Sequence, residues 1–224
     1  MFEALEVAHL STVDRVADEL RRAIFAGDLP PETPLREVAL AEATSVARST
    51  VREALGLLVA DGLAVRAANK GVQVKQLHAA DIRDVIVARR ALESAGVRAY
   101  PMATPAARHR LADAFDHYAK IATTSTDPGA VSEAHLAIHR ALVGLTGSER
   151  LLAAMDALAA EIRLGLAHVD RIRGNLAEQV ENHRILVGKV RRAPRREALA
   201  ELERHLDDAE ASLVATVERG TIGS

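Results

Sequence analysis

Between residues 12 and 75 the chain sets three helical stretches, a tight turn between the second and third, and two strand-length runs, and after residue 79 no strand pattern returns. That order admits few folds: a compact helical head carrying one small ribbon, followed by helices packed on helices. The first helix, 12–26, puts Val13, Val16, Leu20 and Ile24 on one stripe; Ser11 or Thr12 can cap it and Gly27 follows it. Residues 28–34 (DLPPETP) read as a turn-rich connector. A short helix is expected at 35–43, a turn at 44–46, and a third helix at 48–60 that stops at Asp61-Gly62. Strands at 63–67 and 71–75 would be joined by Ala68-Asn69-Lys70, with Asn-Lys-Gly as a hairpin tip.

Beyond residue 79 proline stands where helices begin, at Thr104-Pro105, Asp127-Pro128 and Ala193-Pro194, and Thr104 and Asp127 are good caps. With breaks at Gly147-Ser148 and Gly174, the spacing predicts six helices: 79–100, 105–125, 128–145, 148–172, 175–192 and 194–219. The 224 residues are 49% apolar but only 2% aromatic, so the core is aliphatic and suits helices. The absence of cysteine excludes disulfides, thiolate metal sites and thiol catalysis. No run approaches the length of a membrane span and no signal layout opens the chain, so a soluble cytoplasmic protein without a membrane partner is expected. The fold class is mainly α. A winged helix-turn-helix at 1–76 precedes an all-α antiparallel bundle at 77–224.

In a winged helix-turn-helix the third helix enters the major groove of double-stranded DNA. Here it lies in VARSTVREALGLLVADGL (46–63), with Arg48 and Arg52 on one face and Val51, Leu55 and Leu58 on the other. Arginine suits bidentate contact with guanine. Ser49 and Thr50, at the helix N-terminus, suit a phosphate, and Lys70 at the wing tip can reach a groove or phosphate. The alternative is a pair of solvated arginines. Residues 1–76 hold nine Lys/Arg against eleven Asp/Glu, so any positive field is local. ELRRAIFAGDLPPETPL, LAEATSVARSTVREALGLLVADGLAV and the NKG tip together resemble the GntR family of bacterial transcription regulators. The resemblance implies Arg36, Arg48, Arg52 and the Lys70–Gly71 tip as DNA contacts. Two departures stand out: Pro31-Glu32-Thr33 where the family usually has Pro-Gly-Glu, and Ser45-Val46-Ala47 where it often has Gly-Val-Ser. Ala47 cannot cap the recognition helix, at a cost of about 1 kcal/mol.

In SEAHLAIHRAL (132–142), His135 and His139 share an inward stripe with Val131, Ile138 and Leu142. Residues one helical turn apart have Cβ atoms about 5–6 Å apart, close enough for two imidazoles to grip one ion. His183 and His205 also take inward positions, on two other helices. The alternative for each is a core histidine satisfied by its neighbours. AHLAIHRALVGLTGSERLL, HRILVGKV and RHL resemble the metal-holding FCD effector domain of the FadR subgroup, in its six-helix, VanR-like branch. The resemblance implies His135, His139, His183 and His205 as ligands. His135 replaces the usual Asp, and Asn182 a frequent Glu, while Glu133 points elsewhere on its helix. An all-imidazole set favours Zn or Ni over Mn and a stronger pull on an anion. Arg89 or Arg90 in VIVARRALE can reach the same cavity and hold a small carboxylate, or else form a surface salt bridge to Glu93. The resemblance implies Arg89.

A bundle enzyme is the competing class. Di-iron bundles need Glu-x-x-His pairs, yet Ser132, Leu136, Val180 and Leu202 stand three before the four histidines. The expectation is therefore no enzyme, but a homodimeric regulator, a repressor on a palindromic operator, tuned by a small organic acid at the metal. A purely structural metal or an empty site is the alternative.

Overall fold

The computed structural model of the chain describes residues 11–67, 71–173 and 176–221. Contacts divide the chain into two compact units, Met1–Gln76 and Leu77–Ser224. In the first, α1 (Thr12–Ala26), α2 (Glu37–Thr44) and α3 (Arg48–Ala60) precede strands β1 (Ala64–Ala67) and β2 (Gly71–Val74). Ser11 and Asp14 close a capping box on α1, and Gly27 ends it at φ 80°, where a Cβ would clash. Val16, Leu20 and Ile24 from α1 pack with Val51, Leu55 and Leu58 from α3, and Val72 and Val74 complete the core. Arg21 ties α1 to the end of α3 by donating to Asp61 at 2.9 and 2.6 Å.

The 28–34 connector is more than a turn. Its end runs beside β2: Glu32 N–H donates to Val74 O, Val74 N–H to Thr33 O, and Leu35 N–H to Val72 O at 2.8 Å. This third edge occupies Leu35, so α2 starts two residues later than the expected 35–43, with Arg36 extended as its N-cap. Leu63 likewise donates to Leu58 O to close α3 and leaves the ribbon to begin at Ala64. Glu32 and Ser45 adopt left-handed φ of 64° and 54°. They occupy the positions at which the chain departs from Gly in the GntR pattern. Each costs on the order of 1 kcal/mol relative to glycine there. Ala47 caps α3 without a side-chain hydrogen bond.

In the second unit all described secondary structure is helical: α4 (Ala79–Ala99), a single 3-10 turn at Tyr100–Met102, α5 (Pro105–Thr124), α6 (Pro128–Gly144), α7 (Glu149–Arg173), α8 (Leu176–Arg192) and α9 (Arg195–Thr221). Thr104 and Asp127 accept from Ala107 N–H and Gly129 N–H as caps. α4 packs against α6, α7 and α9, while α5 packs on α6 and α8, and α8 on α9. α4 and α6 approach closely at a glycine. A Cβ built on Gly96 would stand 1.9 Å from Leu142 O. Gly96 follows Glu93 by about one turn, and Leu142 follows His139 by about one turn, so this contact sets the distance between those two side chains.

Gly96→Ala should therefore destabilise the chain by about 1–3 kcal/mol or more through overpacking. Gly188→Ala, where a Cβ meets nothing within 4 Å, should stabilise it by up to about 1 kcal/mol. Urea midpoints of the two variants check the pair; a harmless Gly96→Ala would mean that the helices do not touch there.

Candidate metal centre and recognition helix

Arg48, Ser49 and Arg52 stand on the exposed face of α3, Thr50 is half-buried, and Arg36 is exposed at the start of α2. Gly71 opens β2 at φ 78° in open space. Lys70 lies outside the described residues. The arginines are not simply solvated. Arg52 donates through Nε and Nη2 to the two oxygens of Glu37 at 2.9 and 2.8 Å. Arg48 Nη2 stands 3.7 Å from the same carboxylate. The bond from Arg52 holds the Glu37 carboxyl below the ordinary range. Glu37 thus fixes the spacing of the two guanidinium groups.

The four histidines of the bundle come together from three helices: His135 and His139 from α6, His183 from α8 and His205 from α9. All are buried, His139 completely. His139 Nε2 lies 3.2 Å from His135 Nε2 and 3.3 Å from His183 Nε2. One nitrogen from each of these three falls within 4.8 Å of the others. The His205 ring stands with its centroid 4.6 Å from that of His183 and 5.4 Å from that of His139. Glu133 is exposed on α6 and takes no part.

The far side of two rings decides their protonation. His183 Nδ1–H donates to Gln179 O at 2.7 Å. His139 Nδ1 lies 2.9 Å from Glu93 Oε2 and 2.9 Å from Arg89 Nη2. An ionised Glu93 can only accept, so we place the ring proton on Nδ1, donating to Glu93 Oε2; Arg89 Nη2 then makes no bond to that ring, and Arg89 is held by its Nε bond to Glu93 Oε1 at 2.7 Å. The Nε2 lone pairs of His139 and His183 then face each other with no proton between them. Burial and the neighbouring Arg89 hold the imidazoles below their usual range, His183 to about 4, so they are neutral at neutral pH. Neutral lone pairs converging in a buried space repel unless a cation lies between them. Zn–N bonds of about 2.0–2.1 Å in a tetrahedron set nitrogens about 3.3–3.4 Å apart. The donor set fits a divalent metal, and the carboxylate behind His139 is the usual support for one.

Arg89 and Glu93 are buried at 3% and 0% exposure. The sequence left Arg89 between the cavity and a surface salt bridge. It does both, except that the bridge is buried: Arg89 binds Glu93 and also lines a cavity of about 90 Å³ with His135, His183 and His205. Arg90 does not reach that cavity; it bonds Glu203 and Asp207 on α9.

Residues 12–74 match the family described as bacterial regulatory proteins, gntR family, and residues 84–208 match the FCD domain. The chain belongs to the GntR family. It carries the FCD type of effector domain. A probable D-xylose utilization operon transcriptional repressor of Paenarthrobacter nicotinovorans is 28% identical over 79% of this chain and 77% of that protein. An uncharacterized HTH-type transcriptional regulator, YdhC of Bacillus subtilis, is 34% identical over 36% of each chain. A putative GntR transcriptional regulator from Rhodococcus sp. RHA1 is 29% identical, covers 91% of this chain and 97% of its own, and superposes with a TM-score of 0.78. McbR/YncC of E. coli, 20% identical at a TM-score of 0.71, shares the fold. As a GntR regulator, the chain is a DNA-binding protein whose homologues are transcriptional regulators.

Reading the sequence of this GntR regulator missed three parts of the two sites. Glu37 belongs to no motif in the sequence and pairs with the two arginines only in the fold. Glu93 was weighed only as a partner of Arg89. Tyr118 on α5, 1% exposed, sets its ring 5.4 Å from the centroids of both His135 and His183. A tyrosine in a chain with only two of them was the available signal for the last.

Glu93→Gln removes the charge behind His139 with little change of shape. It should weaken zinc binding to the purified protein by about 10–100-fold, as removal of such a carboxylate typically does. Competition with a chelator measures this; undiminished affinity would leave Glu93 as a partner of Arg89 alone.

Proposed function

We propose that this GntR regulator is a homodimeric repressor whose operator binding responds to a small carboxylate, held at a divalent metal on His135, His139, His183 and His205. The placement of His139 Nε2 at 3.2 and 3.3 Å from the Nε2 atoms of His135 and His183 carries the metal reading. Zn or Ni suits an all-nitrogen donor set better than Mn. When bound, such an ion supplies a positive charge that attracts a carboxylate oxygen. The residues supply the rest. Glu93 holds His139 in one tautomer, Gln179 O does the same for His183, and the Tyr118 ring packs on those of His135 and His183. Arg89, already at the cavity, provides the guanidinium for the acid's second oxygen. The cavity beside the cluster favours an effector site over a purely structural metal. Four neutral ligands leave the centre at full +2, which draws an anion more strongly than a site with one carboxylate ligand.

On the DNA side, Arg48 and Arg52 read base edges in the major groove, and Arg36, Ser49, Thr50, Lys70 and Gly71 contact the backbone or neighbouring groove. To do so Arg52 exchanges its bond to Glu37 for a contact with DNA. Both sides of that exchange are exposed, so the net cost is small. Two heads reading a palindrome require two copies of the chain. Residues 75–80 connect the two units, and α4, which carries Arg89, follows directly. Effector binding shifts occupancy through α4; a coupling of about 1–3 kcal/mol changes it 5–150-fold. The setting is the cytoplasm, where the DNA is.

Arg48→Ala should weaken specific operator binding by about 1–3 kcal/mol in a gel-shift titration against the upstream region of its own gene. Undiminished affinity would remove α3 as the reading helix. His183→Ala should lower the metal content found by elemental analysis and blunt the response to acids while sparing DNA binding. Full metal content in that variant would refute the ligand set.

A further inference from the structure

The mouth of the cavity beside the histidines is built from two helical stripes. On α9, His205, Asp208, Ala209 and Ser212 follow at the i, i+3, i+4, i+7 spacing, and on α8, Gln179, Asn182 and His183 follow at i, i+3, i+4. Each stripe includes an imidazole. Asp208 and Ser212 from α9 and Asn182 from α8 add carboxylate, hydroxyl and amide groups to the walls, while Ala209 leaves room between them. A cavity made only to hold a metal and a carboxylate head needs none of these.

Ser212 is the informative member. It is 7% exposed, and its Oγ has no hydrogen-bond partner among the described residues. Hydroxyls inside helices ordinarily donate back to the carbonyl one turn earlier. Thr44, Thr124 and Thr216 do so here, at 2.6, 2.8 and 3.0 Å. Ser212 lines the cavity and keeps its donor and acceptor unspent; a turn about its Cα–Cβ bond is needed to bring the hydroxyl to the cavity side. A buried hydroxyl without a partner costs about 1–3 kcal/mol, which a ligand carrying its own hydroxyl would recover. Asp208 stands at the rim with one oxygen bonded to Arg204 at 2.8 Å. Its other oxygen can accept from a hydroxyl, and its charge disfavours a second carboxylate there. The volume of about 90 Å³ suits a compact ligand.

The geometry points to a hydroxyl-recognising subsite formed by Ser212, Asn182 and Asp208, which makes the effector a short hydroxylated monocarboxylate. This rests on the metal-and-carboxylate reading above and adds to it the chemistry of the acid's far end. Fatty acyl chains would leave Ser212 and Asn182 unpaired, and dicarboxylates would face Asp208.

Isothermal titration of the full-length, zinc-loaded protein with glycerate, propionate, malonate and glycerol tests it. Glycerate should bind about fivefold to tenfold more tightly than propionate, the worth of one or two neutral hydrogen bonds. Ser212→Ala should erase that advantage and leave propionate unchanged, and Asp208→Asn should strengthen malonate. Equal binding of glycerate and propionate by the wild-type chain, or an equal loss of both in Ser212→Ala, overturns the subsite while the carboxylate reading stands. Malonate held as tightly as glycerate overturns the role of Asp208. If glycerol binds in a Ser212-dependent way and no acid does, the subsite stands and the carboxylate reading falls. If none of the four binds, both fall.

Discussion

The buried Arg89–Glu93–His139 chain is the interaction on which the bundle's interior depends. Two charged groups taken out of water are costly unless they face each other with good geometry. Here Glu93 is completely buried and uses one oxygen for Arg89 and the other for His139. Removing any member strands the others in a low-dielectric interior, so the three persist together or not at all. The helices that carry them are held at the required distance by Gly96 against the Leu142 carbonyl, a contact that no larger side chain permits. Backbone approach, ion pair and ring orientation form one device between α4 and α6.

The two ends of the protein use charge in opposite ways. On α3 the arginines are exposed and their partner Glu37 is held by bonds that water competes for. Such pairs are weak and exchangeable. In the bundle the charges are dry, and exchange would be expensive. There the arrangement is fixed in advance, and a ligand has to fit it.

The cavity illustrates how a helical bundle builds a site. Because α8 and α9 each place every third or fourth residue on one wall, a single stripe carries both an imidazole and other hydrogen-bonding groups. Tyr118 from α5 packs its ring against those of His135 and His183 behind it. Residues on such a wall can vary without moving the histidines, since Ser212 and Asp208 lie one to two turns from His205.

The order of elements was legible in the sequence because it is written in local signals. α1 and α3 fall on the expected residues, 12–26 and 48–60, since capping and periodicity act over a few residues. The inward stripe of His135 and His139 was legible for the same reason. What local signals cannot carry is which stripe meets which. The pairing of residues 32–35 with β2, which delays α2, depends on a hairpin forty residues downstream. That Glu93 stands behind His139, that Gly96 meets Leu142, and that Arg89 is buried while Arg90 turns to α9 all follow from how α4 lies on its neighbours. The sequence by itself determined the helices, their faces and the residue types on each face. The tertiary structure alone decided which of those side chains would lose water together, and in this protein the loss of water is what turns four separate histidines into one site.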